Sequence, residues 1–270
     1  MAFNSTFGRV FSPTFQPKST ASAAAAWSPM SIAGCVMWLD FSDADYLFTD
    51  AGSTKVSSDG DAIYQANDKS GNNNHAVQSS ATLRPLYKVN IQNSRSTGYF
   101  DGSNDVMTLV DLTLTNYTTF IVFKYLTPSL DTANIHAWDN YPTTPRHARS
   151  LYVYRASIPV GMHYEAYVGN TGGLQTSAAL TNNSAYLVDF VRDGTSLAVN
   201  KNGSGLTGIT VGTGAFTMVG HRLGTHYYSG ANQNQYAKGY VCDLIIYNSA
   251  LSTGDQATVR TYLNTKWAIY

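Results

Sequence analysis

Short apolar runs separated by clusters of Gly, Asn, Asp and Ser recur along most of this chain, and the pattern changes only at its two ends. Tyr240-Val241-Cys242-Asp243-Leu244-Ile245-Ile246-Tyr247 is apolar and β-branched, which predicts a buried strand. Asn248 to Leu251 then turn the chain, and Ser252 with Asp255 forms the start signal of a short helix. Val259, Leu263 and Trp267 follow at a spacing of four, with Tyr262 beside them, so one helix face is built for burial. The chain therefore closes as a strand followed by a helix that caps a sheet.

Upstream, Cys35 to Asp40 reads as a strand followed by an acidic loop holding Asp43 and Asp45. Asp59-Gly60-Asp61, the run Asp68 to His75, and Asp101-Gly102 are turn formers between short strands. Phe120-Ile121-Val122-Phe123 is apolar at every position and predicts a central strand. Tyr186–Val191 and Leu197–Asn200 flank Asp193-Gly194 as a hairpin, and Asn202-Gly203 is a second tight turn. Strand signals also occur at Leu151–Arg155, Met162–Val168 and Phe216–Gly220. Asp131–Arg149 and His221–Tyr236 lack periodicity and read as long polar-aromatic loops. Many short strands joined by turns predict an all-β antiparallel sandwich.

Residues 1–30 differ from this body. Phe3, Phe7, Phe11 and Phe15 recur every four residues, but Gly8 and Pro13 argue against a continuous helix. Ser12 to Pro29 is rich in Pro, Ser, Thr and Ala and reads as a linker. An arm carrying four phenylalanines is expected to dock on a partner, with folding back on its own domain as the alternative. The division predicted is an N-terminal anchoring arm over 1–30 and one sandwich over 31–270.

Composition supports the all-β reading: 19 Tyr occur in 270 residues, only 13% of residues are charged, and Lys plus Arg equals Asp plus Glu at 17 each. So neutral a chain has no overall pull on nucleic acid or an anionic membrane. No apolar run reaches the roughly 20 residues that span a bilayer, and the N-terminal segment makes a poor export signal. Synthesis in a host cytoplasm without export is the expectation. Cys35 and Cys242 are too few for a disulfide scaffold; two buried thiols, or one cross-strand bridge, both fit.

Several segments, in order, resemble the laminin-G-like branch of the concanavalin A-like lectin/glucanase superfamily. They are Trp38-Leu39-Asp40, Asp68 through His75-Ala76, Arg84-Pro85, Tyr99-Phe100-Asp101-Gly102, Leu244 to Tyr247 with Ala250-Leu251, and Tyr262-Leu263 with Lys266-Trp267. The resemblance covers about residues 33–270 and implies a jelly-roll of two packed sheets with the first and last strands adjacent. It also implies the settings where such modules occur, bacterial surface proteins and structural proteins of tailed bacteriophages. The function expected from it is non-enzymatic: a bacteriophage virion component, as capsid decoration, head fibre or tail fibre. Such a protein would be held to other virion proteins by its arm, oligomerise with itself and adsorb weakly to cell-surface glycans. The alternative is a lectin-like carbohydrate-binding module of a bacterial surface protein.

Candidate chemistry narrows the choice. Glycoside hydrolysis needs two carboxylates across the scissile bond, and Glu165 is the only glutamate in the chain. Asp68 to His75, with Asp101, Asn104 and Asp105 nearby in sequence, offers the hard oxygens that calcium takes. Such residues in Gly-rich turns mostly bond their own backbone, so no cofactor is expected. His221 and His226 lack the further ligands that zinc needs. Aromatic rings stack on sugar faces, which makes His136, Trp138, Tyr141, His226, Tyr227 and Tyr228 the expected glycan or subunit-contact residues.

Overall fold

The structure, a computed structural model, describes residues 1, 27–127, 132–139, 147–154, 161–228, 231–232 and 234–270, without the side chains of 154, 161, 174–178, 227, 228 and 232. Its main strands are β1 (Cys35–Asp40), β2 (Leu86–Gln92), β3 (Arg95–Asp101), β4 (Tyr117–Tyr125), β5 (Thr132–Asp139) and β6 (Ala148–Tyr154). They continue as β7 (Gly161–Val168), β8 (Thr171–Ala179), β9 (Ala185–Asp193), β10 (Ser196–Lys201) and β11 (Lys238–Tyr247), and α1 (Thr253–Trp267) ends the chain.

The strands form two nine-stranded antiparallel sheets. The first runs β10-β9-β4-β11-β3-β2, and β1 pairs with the second half of β11. The second runs β8-β7-β6-β5 and continues through short strands at Arg222–Leu223, Met107–Thr108, Ala76–Val77, Gln65–Ala66 and Leu47–Phe48. This is the antiparallel sandwich that the pattern predicts, in the two-sheet jelly-roll form with adjacent first and last strands that the resemblance implies.

Turn chemistry accounts for the hairpins. Asp193 pairs with Ser196, so Gly194, at φ +57°, begins the two-residue loop between β9 and β10. Asn202 and Gly203, at φ +51° and +77°, make the next turn with both residues in the left-handed region.

One core lies between the sheets, around Leu39, Phe100, Ile121, Tyr164, Phe190 and Leu244. A second lies outside the first sheet, where Val259, Leu263 and Trp267 of α1 cover Trp38, Phe120, Val122, Leu187 and Ile245. Strands β4 and β11 are buried on both faces, which explains their unbroken apolar runs. Ser252 caps α1 by accepting from the Asp255 amide at 3.1 Å.

The described part of the segment expected as a loop over 131–149 is largely strand. Thr132–Asp139 is β5, and every residue from Ala133 to Asp139 is buried. Covered on both faces, it shows no alternation for sequence reading to detect. The stretch 221–236 also holds short strands at Arg222–Leu223, Tyr227–Tyr228 and Ala231–Asn232. Cys35 and Cys242 are free, buried thiols near opposite ends of the β1–β11 ladder, where Cys35 pairs with Tyr247 and the Cys242 carbonyl accepts from Phe41. Among the described residues, no helix is long and apolar enough to cross a membrane.

Candidate functional site

An open groove of about 910 Å³ lies beside α1, a size suited to small ligands. One wall is the exposed edge of the helix, where Thr258, Thr261, Tyr262 and Thr265 stand at helical spacing. The other is the turn after β1, with Ser42, Asp43 and Asp45. Asp43 shapes this turn by accepting from the Asp45 amide at 3.1 Å. Trp27 and Tyr262, both half-buried, meet with ring centroids 5.2 Å apart, and Trp38 meets Tyr262 edge-on at 6.4 Å. The groove thus has an aromatic end and an acidic end.

A charged network forms its floor. Lys266 reaches back from α1 to Asp40 at 2.6 Å and Asp243 at 2.8 Å. Asp243 also accepts from the indoles of Trp38 at 3.0 Å and Trp267 at 2.5 Å. Lys69 bridges Asp40 at 3.0 Å and Asp43 at 2.7 Å, with its ammonium over the Trp38 ring. Burial acts to raise the Asp40 carboxyl, but the ammonium groups of Lys266 and Lys69 outweigh it and hold the group low. Asp243 goes up instead, because burial and the Asp40 charge prevail over Lys266. Burial also opposes the charge on Lys266, yet its two carboxylates hold its pKa high.

A bulge makes this floor. The pairing of β11 with β4 shifts between Val241 and Asp243, so Cys242 and Asp243 both face the helix although they are adjacent in sequence. The β2–β3 turn then holds the helix end: Arg95 Nε donates to the Lys266 carbonyl at 2.9 Å, and Gln92 Nε2 to the Trp267 carbonyl at 2.8 Å. Arg95 also lines the groove.

The described residues among those expected at a contact surface lie away from this groove. His136 and Trp138 are 0% and 1% exposed, so they belong to the interior and correct the expectation of an exposed aromatic loop. The two segments do meet: His136 lies 2.7 Å from His221, His226 lies 3.4 Å from Asp139, and Asn134 donates to Gln235 at 2.7 Å. Tyr141 lies outside the described residues, as do the side chains of Tyr227 and Tyr228 and the whole of Phe3, Phe7, Phe11 and Phe15.

Glu165 lies opposite Ser150 on one side and Leu174 on the other. Its same-strand neighbours on that face are His163 and Tyr167, so no second carboxylate stands next to it in the sheet. Asp68 is also accounted for. It accepts from the amides of Trp38 and Ser70 at 2.8 Å and of Asn74 at 3.0 Å, clasping its loop onto β1. Among the described residues, no group of three or more His, Cys, Asp or Glu is placed to hold a metal ion.

No family model matches the chain, and no curated protein matches it by sequence. Solved structures do. One is domain 4 of AbnA, a GH43 extracellular arabinanase from Geobacillus stearothermophilus, in complex with arabinotriose. It has a TM-score of 0.53 and 12% identity, covering 84% of this chain and 98% of that one. Another is the ligand-binding domain of botulinum neurotoxin serotype D in complex with N-acetylneuraminic acid. It has a TM-score of 0.54 and 13% identity, covering 87% of this chain and 53% of that one. What they share with this chain is the fold.

The groove residues escaped sequence reading as a set. Trp38, Asp40, Tyr262, Lys266 and Trp267 stand out individually, but Trp27, Arg95 and the bulge at Cys242 carry no local signal of a shared site.

Proposed function

We propose that this protein is a non-enzymatic carbohydrate-binding module and that the groove beside α1 holds the sugar. The observation that carries this reading is the half-buried Trp27–Tyr262 pair standing next to fixed polar groups in an open groove. Aromatic rings cover the apolar faces of a sugar ring. The carboxylates of Asp43 and Asp45 accept from sugar hydroxyls, as do Thr258 and Thr261, whose own protons go to the Gly254 and Ala257 carbonyls, while Arg95 donates. The acidic turn favours a neutral glycan over an acidic one. Both neighbours were solved with a saccharide bound, which supports the reading. The neighbours of Glu165 support the non-enzymatic part, because a glycosidase needs a carboxylate pair.

The test is titration calorimetry of neutral oligosaccharides, chosen from a glycan screen, against the protein and its Trp27→Ala and Tyr262→Ala variants. Saturable binding to the parent, weakened at least tenfold in both variants with melting temperatures retained, is the expected result. Binding unchanged in both variants removes the groove from the proposal.

A virion role, with residues 1–30 anchoring the protein to a bacteriophage particle as a homo-oligomer, is the proposal for the arm. It predicts that the native protein sediments with particles and that deletion of the arm releases it.

A further inference from the structure

Arg149 is 0% exposed, between the two sheets. Its guanidinium lies over the Phe190 ring at 4.4 Å and 5.8 Å from Tyr117. Arg192, 1% exposed, sits nearby over Phe216, a ring that also stacks on Trp138 at 4.7 Å. Arg192 gives its Nη groups to the carbonyls of Thr115, Gly212 and Gly214. Two guanidinium charges are therefore buried in one aromatic cluster, and neither has a carboxylate partner among the described residues. The chain between β5 and β6, residues 140–147, contains no Asp or Glu.

Hydrogen bonding spends only one side of Arg149. The Val110 carbonyl can only accept, so His221 Nδ1, 3.1 Å away, carries that ring's proton. Burial pushes His221 down to about 3 and His136 down as well, so both rings are neutral. His221 Nε2 then accepts from His136 Nε2 at 2.7 Å, and His136 Nδ1 accepts from Arg149 Nη2 at 2.6 Å. This one-way chain ends at a carbonyl and leaves the Arg149 charge unneutralised. Burial lowers the Arg149 pKa only to about 10, so the charge persists at neutral pH.

Among the described residues, Arg149 Nε and Nη1 find no acceptor, and neither does the indole Nε1 of Trp138. Trp138 and Arg149 are directly opposed across β5 and β6, so these donors come from neighbouring side chains on one face. Three donors with no acceptor among the described residues call for a lone pair that these residues do not supply. The uncompensated charge favours an anion over water, because a buried ion without a partner is costly.

We propose that Arg149 and Trp138 bind a small monovalent anion of the halide class inside the sandwich. Aromatic rings wall the site, which suits a compact ion that sheds its hydration for N–H donors. This inference stands apart from sugar binding in the groove, which lies on the far side of the first sheet.

The decisive measurement is anomalous diffraction from crystals of the full-length protein grown in sodium bromide. A bromide peak within hydrogen-bond reach of Arg149 and Trp138 is expected; bromide found only on the surface overturns the proposal. Melting in sodium chloride against sodium methanesulfonate at equal ionic strength gives an independent reading. Chloride is expected to raise the melting temperature by roughly 2–4 °C per tenfold increase above half-saturation, and equal melting in the two salts overturns the proposal. Arg149→Met is expected to abolish the chloride response. If that variant does not fold, Trp138→Phe keeps an aromatic ring against Phe216, loses one donor and is expected to need several-fold more chloride.

Discussion

Lys266 Nζ lies 2.6 Å from Asp40 Oδ1, although 226 residues separate them. The contact ties the last helix to the first strand, and Asp243 at 2.8 Å makes it a buried triad. Lys266→Met leaves Asp40 and Asp243 buried as like charges. The expected loss of stability is about 3–5 kcal/mol, measured by urea unfolding. A loss below about 1 kcal/mol, the size of a surface pair, would remove the triad from the account of stability.

Trp267 is fully buried under α1 and donates to Asp243. Trp267→Ala opens a cavity between helix and sheet and removes one of the three donors to Asp243, at a cost of about 3–5 kcal/mol. Calorimetric melting checks this. Ser252→Ala, which removes only the cap, is expected to cost about 1 kcal/mol, so the two variants separate packing from capping.

Asp105 gives a pH signature. Burial, with the Asp101 charge adding to it, pushes its carboxyl up to about 7, even though it accepts from the Asp101 amide at 2.8 Å. The folded state therefore holds a proton that the unfolded chain releases near pH 4. Stability from this group is full below about pH 4 and is lost as pH rises through about 7. Asp105→Asn keeps an acceptor and removes the titration. Unfolding free energies between pH 4 and 8 should fall less with pH in the variant, and parallel profiles would refute the assignment.

Gly98 on β3 lies against the Phe41 ring, and a Cβ there would come within 2.7 Å of Phe41 Cδ1. Gly98→Val overpacks this contact and is expected to cost about 1–3 kcal/mol, read as a lower denaturation midpoint with the slope unchanged.

By itself, the sequence determined what depends on short-range order. The Asn202-Gly203 turn, the β9–β10 hairpin, the Ser252 cap and the buried stripe of Val259, Leu263 and Trp267 follow from local backbone preference and periodicity. The sandwich followed from the alternation of such pieces.

Only the tertiary structure decided where the chemistry lies. His136 and Trp138 looked like loop residues because a strand covered on both faces loses its polar alternation. Trp27, Asp40, Arg95 and Lys266 line one groove because β1, β3 and α1 converge on one side of the first sheet. A single bulge at Cys242 turns Asp243 toward the helix. Whether Arg149 is a surface cation or a buried one depends on which side of β6 faces the first sheet, and that is set by long-range register, which no local run of residues encodes.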